Sequence, residues 1–236
     1  MKSKAAFFWL IAYLLTTNAC APVFSELQSA RTAGRNRVEL TPAYSTVGFS
    51  NQGQSTDAQN EYGGQLAYGV SSFFDIRVRY EHISIINGGP GLGGVFKTGA
   101  DVLAFGPKFA ISKNKVAFSL PVGRALGDKY SESWEAHPTL LFSLPAVKDK
   151  LDINVAPKFI KQFCSHCDPL FAVNLGMAVS NDLNKWALRV EYGRLYNFEK
   201  SGYYSHFSLG LSFTFGENLY APTPPMNTPY KALPKK

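Results

Sequence analysis

From Arg37 to Gly216 apolar residues alternate with small or polar ones, and a short polar turn interrupts the pattern every thirty-odd positions. A period of two is the mark of extended strands, whose successive side chains point to opposite faces. Between Phe207 and Phe215, Phe207, Leu209, Leu211, Phe213 and Phe215 share one face, and Ser208, Gly210, Ser212 and Thr214 share the other. A soluble sheet would coat that second face with Lys and Glu. Here it carries Gly63, Gln65, Ala67 and Gly69, then Ala104, Gly106, Ala117 and Ser119, then Ala172, Asn174, Gly176 and Ala178. Large apolar residues on one face and small ones on the other predict a narrow barrel whose outside meets lipid.

Short polar turns fall at Ser71-Ser72, Lys113 to Lys115, Lys148 to Lys150 and Asp182 to Lys185. Longer connections are expected at Ser50 to Asn60, Ile86 to Gly99, Gly127 to Ser133, Cys164 to Pro169 and Asn197 to Gly202. Tight turns alternating with longer loops are how transmembrane barrels distinguish their two rims. The strands then run Val38 to Phe49, Glu61 to Val70, Phe74 to Ser84, Asp101 to Ser112, Val116 to Arg124, Trp134 to Leu144, Leu151 to Phe163, Leu170 to Ser180, Trp186 to Tyr196 and Tyr203 to Phe215. The fold class is all-β, an antiparallel up-and-down transmembrane barrel of about ten strands. Pro42, Pro107, Pro121, Pro138 and Pro157 fall inside these strands, where each removes a ladder donor. They are expected at bulges or strand ends.

The ends of the chain differ from the middle. Lys2 and Lys4 precede an apolar run from Ala5 to Leu15, which reads as a signal peptide over 1–20, too short for a spanning helix. Asn18-Ala19-Cys20 suits a lipoprotein cut that leaves Cys20 as the lipidated first residue, and Ala19-Cys20-Ala21 suits an ordinary small-x-small cut. An otherwise unpaired cysteine in an exported chain favours the former. Residues 21–36 lack alternation and are expected to be a periplasmic linker before the barrel of 37–216. Residues 217–236, with Pro222, Pro224, Pro225, Pro229 and Pro234, are expected to form a disordered periplasmic tail. The net charge of +7 comes from scattered basic residues with no stripe that would suit a nucleic acid.

The alternation of Val38 to Phe215, its small-residue face and the aromatic Phe215 at the end of the last strand resemble the small outer-membrane β-barrel proteins of Gram-negative bacteria. In style the chain is most similar to barrel lipoproteins of the Bacteroidota. The resemblance implies a place in the outer membrane, with its lipids and the barrel-assembly machinery as partners. It also implies a structural or porin-like, small-solute-passing role, without an enzymatic activity or cofactor. An outer-membrane protease or lipid-modifying barrel with a rim site, and a lipid-anchored soluble ligand-binding barrel, are the alternatives.

Strand parity places Asp75, Arg77, Arg79, Glu81, Lys108, Glu135, His137, Asp152, Asn154, Lys158, Arg189 and Glu191 in the lumen. Both signs are present, which suits either a network of ion pairs or a constricted polar path. His206 and Tyr204 with Glu191 are the one candidate acid-base group, with His206 otherwise part of the same network. Tyr44, Tyr62, Tyr68, Trp134, Trp186, Tyr192 and Phe215 face outward, as interfacial girdles would. Cys164-Ser165-His166-Cys167 has no second pair that would make a metal site, and reads as a small disulfide loop or as free thiols. Gly89-Pro90-Gly91-Leu92-Gly93-Gly94 matches GxGxxG but lacks the following helix that a dinucleotide site requires.

Overall fold

The computed structural model describes residues 25–86, 99–126, 134–164, 167–197 and 202–216. Cys20, the glycine run Gly89 to Gly94 and the tail from Glu217 lie outside the described residues. The strands are β1 (Val38–Asn51), β2 (Gln54–Gly69), β3 (Phe74–Ile85), β4 (Ala100–Ser112), β5 (Val116–Ser119), β6 (Val122–Leu126), β7 (Trp134–Ala136), β8 (Thr139–Val147), β9 (Leu151–Gln162), β10 (Leu170–Val179), β11 (Trp186–Asn197) and β12 (Tyr203–Phe215). Every pairing is antiparallel, and β1 pairs with both β2 and β12, so the sheet closes on itself. Segments β5 and β6 continue one another as a single stave beside β4, and β7 and β8 do the same beside β9. The result is an up-and-down barrel of ten staves. Closure removes every sheet edge, as a wall in hydrocarbon requires.

Proline accounts for the two broken staves. Pro121 parts β5 from β6 and Pro138 parts β7 from β8, with Pro107 and Pro157 on the flanking strands β4 and β9. The ladder crosses this seam through proline carbonyls: Leu120 N–H donates to Pro107 (3.0 Å), His137 N–H to Pro121 (2.9 Å) and Phe159 N–H to Pro138 (3.0 Å). At Pro42 the β1–β12 register passes from the Leu40–Phe213 pair to the Ala43–Gly210 pair without changing phase. Proline therefore interrupts the ladder locally and leaves strand parity intact.

Parity sorts the side chains as the alternation predicts. Leu66, Ile76, Phe105, Leu144, Leu175, Phe207 and their like are exposed on the outside, whereas Ala67, Ala117, Ala172 and Ser208 are fully covered inside. Tyr44, Tyr62, Tyr68, Trp186, Tyr192 and Phe215 are exposed outward, with Trp134 partly so. The four short turns lie where the sequence places them, with Asn114 and Asp149 in the left-handed region that tight turns use. One expected loop is instead strand. Ser50 to Asn60 forms the tip of a long hairpin turned by Gln52 and Gly53, both at positive φ, with a bulge between Val47 and Gly48. The two-residue turn carries no asparagine, and the polar Gln54 to Asp57 run hides the strand.

Candidate functional site

The residues expected as a periplasmic linker are, from Ser25 to Ala33, inside the barrel. Ser25 to Ala30 and Ala33 are buried. The segment enters at the end with the short turns, beside Asp75, and climbs to mid-height, where Ser25 meets Arg79 and Lys158. Gly34 and Asn36, at φ of 87° and 57°, bend the chain from this path into β1, and Asn36 N–H donates to the Gly69 carbonyl at 2.7 Å. Gly69 is obligatory there, because a Cβ would run into the backbone of Gly34.

An irregular segment buried in a lumen leaves its backbone groups without ladder partners, and wall side chains supply them. Glu191 takes two consecutive N–H groups, Glu26 at 2.7 Å on one oxygen and Leu27 at 2.8 Å on the other. Leu27 at φ 49° turns the backbone so that both groups converge on one carboxylate, the arrangement of an anion-binding nest. Gln65 donates to the Glu26 carbonyl (2.6 Å), and the Lys108 ammonium bridges the carbonyls of Ser29 (2.6 Å) and Arg31 (2.5 Å). Ser143 accepts from Ala30 N–H (2.7 Å), and Asp75 accepts from Ala33 N–H at 3.2 Å. Two side chains of the segment are themselves paired with the wall: Glu26 with Lys158 at 2.9 Å, and Arg31 with Asp152 at 2.6 Å and Asp149 at 3.0 Å.

The remaining wall charges complete the network. Arg77 joins Asp75 (3.1 Å) to Glu39 (3.3 Å), which also meets Arg189 at 3.4 Å, and Arg79 pairs with Glu81. His137 Nε2 stands 2.9 Å from Glu135. Glu61, diagonal to Glu81 across β2 and β3, accepts from Gln59 at 2.8 Å. All the inward residues assigned by parity are here, and Lys108, Asp75 and Asp152 have no exposed surface. Sequence parity left Glu26, Arg31, Glu39 and Glu61 unassigned. Glu39 and Glu61 share faces with Thr41 and Gln65, so parity was enough to find them. Glu26 and Arg31 lie outside any alternating stretch.

Toward the rim with the longer connections an apolar cluster lies level with the buried Gln59 and next to Glu135 and His137. Val47, Ile160, Ala172 and Leu195 form a closed cluster against Leu170 and Tyr204. His206 lies beneath it, 2.8 Å from Ser208 and 3.2 Å from Asn174, with Glu191 at 3.8 Å. His206 and Glu191 lie below the rim, and Tyr204, the second residue of β12, forms no open site with them. His206 is 2 % exposed, Glu191 holds the inserted segment, and Tyr204 packs against Phe49 with ring centroids 4.9 Å apart. The cavity left between segment and wall, lined by Glu26, Gln28, Gln65, Arg79, His137 and Lys158, measures about 20 Å³, room for about one water. Cys164 and Cys167 are joined by a disulfide. Among the described residues no group of three His, Cys, Asp or Glu side chains could hold a metal ion.

No protein-family model matches the chain, and no curated protein matches it. Solved structures similar to it are barrels. An outer membrane channel from Pseudomonas putida F1 aligns with 84% of this chain and 100% of its own, at 11% identity and a TM-score of 0.43. The CymD monoaromatic hydrocarbon channel aligns with 78% of this chain and 90% of its own, at 7% identity and a TM-score of 0.40. Ail, the attachment invasion locus protein of Yersinia pestis, aligns with 77% of this chain and 99% of its own, at 8% identity and a TM-score of 0.34.

Proposed function

We propose that the protein is an outer-membrane barrel that is closed at rest by its own Ser25 to Ala33 segment and passes a small solute when that segment withdraws. The carrying observation is the way the segment is held. Its backbone is bound by side chains of the wall, it pairs with no strand, and its large apolar contribution is the single Leu27. A purely structural filler would be better served by apolar packing, because a buried ion pair is at best weakly stabilising compared with hydrophobic residues of similar volume. Polar bonds of this kind can be exchanged for water once water enters, which suits a segment that moves. The outward belt of exposed Leu, Val, Phe and Tyr supports membrane insertion. The buried position of His206 and Glu191 supports a non-enzymatic role, because no substrate reaches them while the segment is in place.

Planar-bilayer recording tests this reading. The full chain is expected to give silent traces with rare openings, and a chain lacking Ser25 to Ala33 to conduct steadily. Steady conductance from the full chain, or silence from a folded deletion variant, overturns it.

A further inference from the structure

Below the hairpin tip, the outward faces of the described strands carry only five charged or imidazole side chains: His82, Asp101, Arg124, Lys161 and Arg194. All lie toward the rim with the longer connections. His82 stands eight residues above Phe74 at the opposite end of its strand, Arg124 eight above Val116, Lys161 ten above Leu151 and Arg194 eight above Trp186. With a rise of ~3.3 Å per residue and a tilt of ~40°, that places them roughly 20–25 Å above the short-turn rim, the height of an apolar band. The outward faces near the short-turn rim carry no such residue among those described. There the basic groups, Lys113, Lys115, Lys148, Lys150 and Lys185, sit in the turns.

Of the three basic ones, Arg194 and Arg124 are held by aromatic neighbours and Lys161 is exposed. Arg194 donates from Nε to the Tyr192 hydroxyl at 3.1 Å, and its guanidinium lies 4.8 Å from the Tyr203 ring centroid and 6.0 Å from that of Tyr192. Tyr196 supports Tyr203, with centroids 6.0 Å apart. The cradle fixes the side chain while the planar head stays exposed, the geometry that favours Arg for phosphate. Arg124 lies 5.8 Å from the Trp134 ring. Lys161 is exposed two strands from Arg124 along the order β6, β7, β9, and two strands from Arg194 along β9, β10, β11. Across the strands each step is about 10 Å, and the register adds two residues along the strand between Arg124 and Lys161 and four between Lys161 and Arg194, so successive Cα positions lie roughly 12 and 16 Å apart. His82 differs, because Asp101 at 2.9 Å already answers it.

We infer that Arg124, Lys161 and Arg194 form a docking face for the phosphate groups of a phosphorylated glycolipid in the outer leaflet. Three cations spaced in this way match a headgroup carrying more than one phosphate better than the single phosphodiester of a glycerophospholipid. The inference rests on the outer-membrane reading, in which the longer connections face outward.

The experiment uses the folded full chain in neutral detergent and reads bound lipid by native mass spectrometry. Diphosphorylated lipid A, its dephosphorylated form and phosphatidylglycerol are the three probes. Wild type should retain diphosphorylated lipid A above the other two. Arg124→Gln, Lys161→Gln and Arg194→Gln should each weaken that retention about fivefold. Folding of every variant is checked by heat-modifiable gel mobility, and the Arg194→Gln variant serves if either of the other two does not fold. Equal retention of the dephosphorylated form, equal retention of phosphatidylglycerol, or no loss in the folded variants overturns the inference. Fractionation of wild-type cells on a density gradient tests the outer-membrane reading separately, since the detergent measurement does not depend on location.

Discussion

Glu26→Lys should open the lumen. Glu26 lies 2.9 Å from the Lys158 ammonium, and both side chains are 1% exposed, so the change sets two ammonium groups against each other in a space water barely enters. Breaking a buried pair costs about 3–5 kcal/mol. A barrel residue would have to bear that cost in place, but residue 26 belongs to a segment that joins no strand of the wall and can leave. The cost should therefore appear as a lowered occupancy of the closed state, by roughly two to three and a half orders of magnitude. Global unfolding should change little. Two readouts follow the event: channel activity in a planar bilayer, and labelling of Ser29→Cys, in a Cys20→Ser background, by a maleimide. Ser29 is 2% exposed with the segment inserted, so its thiol should react only when the segment withdraws. Lys158→Glu in the same chain restores the pair with signs exchanged and should return most of the silence and protection. A folded Glu26→Lys protein that stays silent, with Ser29→Cys still protected, would refute the argument that this pair holds the segment.

Arg77→Ala with Arg79→Ala removes the partners of Asp75 and Glu81 and one of the two arginines at Glu39, so conductance should rise with a cation preference while stability falls by a few kcal/mol; reversal potentials in a salt gradient and urea unfolding check both. Gly193→Ala would press a methyl group onto the Asn174 amide and the His206 ring, and should destabilise the barrel by about 1–3 kcal/mol without opening it, read by urea unfolding and conductance together. Phe215→Asp sits at the interface, opposite Val38, and should cost only about 0–1 kcal/mol of stability, so any large loss of surface yield in whole-cell blots would be a defect of assembly kinetics. Cys20→Ser should abolish acyl labelling, and normal processing in its presence would exclude lipidation of that residue.

The wall of the barrel was legible because a period of two is a local property. Fixing the parity of Phe207 to Phe215 or of Phe74 to Ser84 needs only neighbours along the chain, and the lumen position of Arg77, Lys158 and Glu191 follows directly. The inserted segment was not legible in the same way. Ser25 to Ala33 shows no alternation because it forms no strand, and its partners Lys108, Lys158 and Glu191 are more than seventy residues away in sequence. An indirect signal did exist. A lumen face built of Ala67, Ala104, Gly106, Ala117, Ala156, Ala172 and Gly176 leaves a gap that the long charged residues do not fill, and something as wide as an extended chain has to occupy it. The broken staves were half legible: Pro121 and Pro138 announce interruptions, but only the register reveals that the two breaks are neighbours and that the ladder resumes in phase beyond each.

The clamp on the inserted segment also dictates an order of events during biogenesis. Its anchors come from β3, β4, β8, β9 and β11, so the part of the barrel chain made first finds its resting place only after the part made nearly last has arrived. Until the segment docks, the Glu26–Lys158 pair and the two bonds to Glu191 are unmade, and the lumen face of the wall lacks those contacts. Partly assembled barrels are thereby penalised as a class, and a chain truncated before β11 should be retained by periplasmic quality control and not inserted.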